Sequence, residues 1–126
     1  MAKMSRDKGK RGEREVARIL REHGYDARRG VQYHGGADSP DVIGLPGIHI
    51  EVKRTERLNL YDALGQSRGD AGEGESPVVI HRRNDCEWVV IQPISDWLDM
   101  YASSEMAVKA SEMDSKGRSG EESSVG

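Results

Sequence analysis

The chain has 126 residues, 35% of them hydrophobic and none of them Phe, with a formal net charge of −3. That is enough for one domain with a modest core built on Val, Ile, Leu and Trp, and no apolar run is long enough to span a membrane. A single cysteine, Cys86, excludes an internal disulfide framework and a multi-cysteine zinc site, fits a reducing cytoplasmic setting, and reads as a buried filler. The charge is unevenly spread: residues 1–29 hold ten Lys/Arg against five Asp/Glu, a net +5, whereas residues 103–126 carry −2. A basic segment in an acidic chain directs attention to a polyanionic partner.

Residues 1–7 read as a flexible basic arm. A helix is predicted from Lys8 to His23, closed by Gly24. At 100° per residue Glu13 falls on the apolar stripe with Val16, Ala17 and Leu20. It either needs a partner there or points to solvent from the first turn, and helix geometry alone does not decide. Arg14, Arg18 and Arg21 form a separate basic stripe. Tyr25 to Val31 is predicted as a strand with Arg28 and Arg29 on opposite faces. The polar loop Gln32 to Pro40 then leads into Asp41.

Asp41 to Lys53 is the stretch around which the chain is organised. Two apolar runs flank Leu45-Pro46-Gly47, and Pro followed by Gly is a type II turn signature, so an antiparallel hairpin is expected. On its second strand Ile48, Ile50 and Val52 share the core face, and His49, Glu51 and Lys53 share the other. The hairpin thus gathers Asp41, Glu51 and Lys53. Two carboxylates suit a hard divalent cation, a backbone carbonyl beside Glu51 (that of Val52) adds a third ligand, and an ammonium can act on a bound phosphate. His49 reads as an exposed edge histidine, and Gln66 as a solvated side chain of the next helix.

That helix is predicted from Glu56 to Arg68, with Asn59 as N-cap and Leu60, Ala63, Leu64 and Ser67 on one stripe. Strands follow over Pro77 to Arg82 and Cys86 to Gln92. Their unbroken apolar runs suggest cover on both faces. Ser95 is the expected cap of a short helix using Ile94, Trp97, Leu98 and Tyr101, and Trp88 and Trp97 are assigned to core packing. Residues 103–126 read as a disordered polar tail, with a marginal helix over Glu105 to Met113 as the second reading. The sequence therefore predicts an α/β domain over residues 1–102, three-layered, with a mixed central sheet flanked by helices.

Pro40-Asp41 followed by Glu51-Val52-Lys53 resembles the PD-(D/E)xK nuclease motif, and the element order is similar to the αβββαβ restriction-endonuclease-like core of that superfamily. Lys10-Arg11-Gly12-Glu13-Arg14-Glu15, the Gly24-Tyr25 helix exit and Arg28-Arg29 resemble the archaeal Holliday junction resolvase family and its phage and bacterial relatives, over roughly residues 8–100. The resemblance implies a Mg²⁺-dependent endonuclease, with Mn²⁺ as a substitute, whose catalytic residues are Glu13, Asp41, Glu51 and Lys53. Glu13, Asp41, Glu51 and the Val52 carbonyl would be the metal ligands. It also implies a homodimer acting on branched DNA in the cytoplasm, associated with the nucleoid or inside a phage-infected host. DNA contacts fall to Arg14, to Arg28 or Arg29, and to Arg11 and Arg54 beside the motif residues. The loop Gln32 to Ser39 is longer than the shortest family versions, and Asp38 competes with Asp41 for the aspartate position. The superfamily also holds nicking, repair and restriction nucleases, and a binding module without catalysis is the reading from another class.

Overall fold

A computed structural model describes residues 2–30 and 39–117 of the chain. The predicted loop over 31–38, with Asp38, lies outside the described residues, as do Met1 and the end of the tail over 118–126. Two compact units are present, Met1–Gln92 and Pro93–Gly126.

The first unit begins with α1, Ala2–Glu22, so the basic arm expected over residues 1–7 is helical from Ala2. Its end matches expectation: Gly24 takes φ +95°, its N–H donates to the Arg21 carbonyl, and the Tyr25 N–H reaches back to Leu20. These two bonds satisfy carbonyls that the last helical turn leaves open. The strands are β1 (Arg28–Arg29), β2 (Val42–Ile43), β3 (Ile48–Arg54), β4 (Ser76–Arg82) and β5 (Val89–Ile91), and α2 covers Leu60–Asp70 between β3 and β4. They form one mixed sheet in sequence order. β3 and β4 are parallel with Glu51 beside Val79, and every other neighbour pair is antiparallel. The hairpin is the predicted one, with Val42 opposite Ile50 and Gly47 at φ +93° in the turn.

Alternation along β3 sets the layers. Ile50 and Val52 join Val16 and Ala17 of α1, with Val42, Val78 and Ile80, in the buried core. On the other face α2 packs against β3 and β4, burying Ala63, Ser67 and Val79. The result is the expected helix–sheet–helix α/β arrangement. Gly12 lets α1 lie close on the sheet, because a Cβ there would stand 3.0 Å from the Arg54 Cβ and 3.5 Å from a Val52 methyl. Behind it, Glu15 accepts from Arg82 at 2.7 Å and from the Trp88 indole at 2.8 Å, clamping α1 to β4 and the start of β5. The Trp88 bond is the largest cause holding Glu15 below the usual carboxylate range.

Several expectations fail for identifiable reasons. β5 is a short edge strand, so Val89 and Val90 are exposed rather than covered twice. Cys86 sits exposed in the turn before it, where the Arg83 Nε–H donates to its sulfur at 3.2 Å. α2 starts at Leu60, not Glu56, because Asn59 Oδ1 accepts the Asp62 N–H and fixes the first turn there. In the second unit α3 spans Ile94–Ala102, capped by Pro93 without a side-chain bond, so Ser95 is not its cap. Trp97 is half-exposed and stacks on Tyr101, with ring centroids 5.4 Å apart, instead of entering a core. α4 covers Glu105–Gly117, where the second reading of the tail placed a marginal helix over Glu105 to Met113. Its start is favoured by Ser104, whose hydroxyl accepts the Ala107 N–H.

Gly44 and Gly65 make opposite predictions. Gly44 takes φ +116°, and a Cβ there would lie 2.2 Å from the Asp26 carbonyl oxygen, whereas a Cβ on helical Gly65 meets nothing within 4 Å. Urea unfolding should show Gly44→Ala less stable by about 2 kcal/mol or more. Gly65→Ala should be more stable by about 0.5–1 kcal/mol.

Candidate active site

The site lies where β2 begins beside β3. Asp41 precedes Val42, and its N–H donates to the Ile50 carbonyl at 2.9 Å. Its carboxylate turns across β3 and accepts the Val52 N–H at 2.8 Å. Glu51 is on the α2 face of β3, 5% exposed. Burial is the main cause lifting Asp41 from its ordinary value to about 7, opposed by the Val52 amide and reinforced by the charge of Glu51 and a proton shared with it. Burial also raises Glu51, with help from the charges of Asp70 and Glu13 and against its hydrogen bond to Asp41 and the charge of Lys53.

Glu13 reaches the site from α1. Because that helix starts at Ala2, Glu13 stands about three turns past the helix start and not in the first turn, and it is half-buried with a partner. The Arg29 Nε–H donates to Glu13 Oε1 at 3.0 Å. Desolvation, then the charge of Asp41, raise the Glu13 pKa, and Arg29 opposes both. The two arginines of β1 are thereby told apart. Arg29 turns to Glu13, and Arg28 points outward beside Asp26 at 3.4 Å. Lys53 lies on the Glu51 face and donates from Nζ to Gln66 Oε1 of α2 at 3.2 Å, so Gln66, solvent-exposed as expected, is also a neighbour of the site.

Two members were missed. His49, expected at an exposed edge, is 1% exposed, and its Nε2 lies 3.0 Å from Glu51 Oε1. Asp70 completes a set with them: the ligand atoms of His49, Glu51 and Asp70 all lie within 4.8 Å of one another. The signal for Asp70 was the stripe of α2, since it follows Ala63 and Ser67 at spacings of seven and three once the helix runs past Arg68. Of the remaining sequence-predicted residues, Arg11 and Arg14 are exposed on α1. Arg54 is held by Asn84 at 2.8 Å and Glu56 at 3.5 Å. Val52 meets the site through its amide.

Carboxylates gathered out of water, all three raised chiefly by burial, form a poor resting state and a good cation site. Their oxygen donors suit a hard divalent ion. The family model described as archaeal Holliday junction resolvase (hjc) matches residues 4–114.

The chain belongs to the archaeal Holliday junction resolvase family.

A solved structure of the Archaeoglobus fulgidus Hjc resolvase is similar to it, with 27% identity, a TM-score of 0.51, and 68% of this chain and 72% of that one covered. No curated protein matches the chain significantly. Membership makes this Hjc-family chain an endonuclease that resolves Holliday junctions in DNA recombination and repair, and divalent-metal use comes with it. Among the described residues no helix is long and apolar enough to cross a membrane.

The raised carboxyls fix the sign of a pH effect. Asp41 goes from an ordinary 3.8 to about 7 on folding. Its contribution to stability is therefore fully present below the unfolded value and is lost as pH rises through 7. Scanning calorimetry in chelator should show Tm falling between about pH 5 and pH 8, with a smaller fall in Asp41→Asn and with Mg²⁺ present. A Tm that holds level across this range in chelator would contradict the shift.

Proposed function

We propose that the chain is a Mg²⁺-dependent, homodimeric junction resolvase whose catalytic residues are Glu13, Asp41, Glu51 and Lys53. The observation that carries this reading is the coupling of half-buried Asp41 to buried Glu51, which leaves a divalent cation as the natural counter-charge. Asp41 and Glu51 would hold the ion directly. In a strand the N–H and C=O of one residue point to the same edge, so the Val52 carbonyl faces the Asp41 side as its amide does and is the third ligand. Glu13 acts from α1, its carboxylate held in place by Arg29. Mn²⁺, with the same preference for oxygen donors, would replace Mg²⁺.

When bound, the ion supplies Lewis-acid polarisation of the phosphoryl group and easier ionisation of the attacking water. Hydrolysis forms a bond from that water to phosphorus and breaks the bond to one deoxyribose oxygen, which leaves with a proton. Lys53, steadied by Gln66, places its ammonium on the Glu51 face where negative charge grows on the phosphoryl oxygens. Arg11, Arg14 and Arg28 are exposed for the DNA backbone, and a phosphate reaching Arg29 or Arg54 must compete with Glu13 or with Glu56 and Asn84. Resolution takes two cuts and the described residues of one chain form one such site, which is the argument for a dimer working in the cytoplasm where the DNA is.

A labelled four-way junction incubated with Mg²⁺ tests the assignment. Asp41→Asn and Glu51→Gln should abolish cleavage while still binding the junction. Lys53→Ala should slow it about 10²–10⁴-fold. Cutting at the wild-type rate by Asp41→Asn would remove Asp41 from the site, and equal cutting of linear duplex would remove the junction preference. Sedimentation equilibrium should give twice the chain mass, and a monomer at assay concentration would contradict the dimer.

A further inference from the structure

His49 is a buried titratable side chain beside the site, and none of the roles above uses it. Its position is fixed from three directions. β3 places it two residues before Glu51 on the same face. Its carbonyl accepts the buried Ser67 hydroxyl of α2 at 2.9 Å. Its Nδ1 lies 3.8 Å from Glu75 Oε1, which is itself held by the Gly72 N–H at 2.7 Å. The remaining ring atom, Nε2, is 3.0 Å from Glu51 Oε1. An ionised carboxylate only accepts, so the imidazole N–H is the donor in that pair.

We propose that His49 is a positioning residue for Glu51: it holds one carboxylate oxygen toward α2, leaves the other for the Asp41 side, and so tightens divalent-cation binding at the catalytic site. A glutamate anchored only at its Cα can sample several rotamers, and a partner at its far end selects among them. The β3 backbone fixes one end of the side chain and His49 fixes the other. Partners that orient a ligand in this way typically change metal affinity 10–100-fold when removed. Asp70 stands close enough to be an alternative role-setter, since a cation between His49, Glu51 and Asp70 would make the imidazole a ligand instead. The hydrogen bond in place favours orientation. The inference rests on the reading of Asp41 and Glu51 as the cation site, and the test separates the two.

Titration calorimetry of the full chain with Ca²⁺, without DNA, should show His49→Val weakening binding about 10–100-fold. His49→Gln, whose amide nitrogen reaches the place of Nε2, should stay within a few-fold of wild type. The Mg²⁺ concentration for half-maximal junction cleavage should move in step, with a smaller change at saturating Mg²⁺. His49→Val binding Ca²⁺ as tightly as wild type would overturn the proposal. So would His49→Gln losing as much as His49→Val, or loss of a separate second binding event with the first unchanged. Should circular dichroism show His49→Val unfolded, His49→Asn, whose amide stops short of Glu51, takes its place, and equal affinities of the Asn and Gln variants would overturn the proposal. Glu51→Gln is the control: if it binds Ca²⁺ like wild type, the cation-site reading fails independently of His49.

Discussion

The arrangement depends on one costly feature, the placement of the Asp41 and Glu51 carboxylates side by side out of water. Isolated buried charges are strongly disfavoured, and two of like sign more so. The fold opposes this with fixed dipoles and cations: the Val52 amide on Asp41, Lys53 near Glu51, and Arg29 on Glu13. None of these cancels the penalty, because all three carboxyls still bind protons more tightly than they would in water. The shortfall is what a cation supplies, so the instability of the empty cluster and its function have the same origin.

The rest of the first unit can be seen as the support this feature needs. The hairpin turn at Pro46-Gly47 pairs Val42 with Ile50 and so brings the Asp41 carboxylate to the Val52 amide. The parallel pairing of β3 with β4, whose centre over 77–80 is buried, makes the floor rigid. Gly12 and the Glu15–Arg82–Trp88 clamp seat α1 closely enough for Glu13, the residue after the close contact, to reach the site. On the opposite face α2 brings Ser67 to the His49 backbone, Gln66 to Lys53 and Asp70 to Glu51. Each helix thus packs through small residues, Gly12 and Val16–Ala17 on one side and Ala63–Ser67 on the other, and hands polar groups to the same strand.

What was readable in the sequence follows from locality. The hairpin, its register and the sharing of a face by Glu51 and Lys53 come from period-two alternation and a two-residue turn, and both act within a dozen residues. The Gly24 helix exit and the Asn59 cap are likewise short-range. Glu13 sat on the right stripe, yet its environment depended on where α1 began, and six further residues of helix changed it from a possible first-turn carboxylate into a mid-helix one. His49 looked exposed because its face of β3 looked polar. It is buried because α2 covers that face with Ala63 and Ser67, a tertiary fact that alternation does not carry. β5 failed for the converse reason: an apolar run reads alike at the centre of a sheet and at its edge, and Val90 is at the edge. Membership of the resolvase family came from motif and element order together, which fix the chemistry more firmly than any single spacing.

The central claim is that the cation sits between Asp41 and Glu51. Crystals grown with Mn²⁺ and measured for anomalous scattering test it directly. The account predicts a peak bonded to Asp41, Glu51 and the Val52 carbonyl, with His49 hydrogen-bonded to the other Glu51 oxygen. A peak held instead by His49, Glu51 and Asp70, with Asp41 uninvolved, would contradict it.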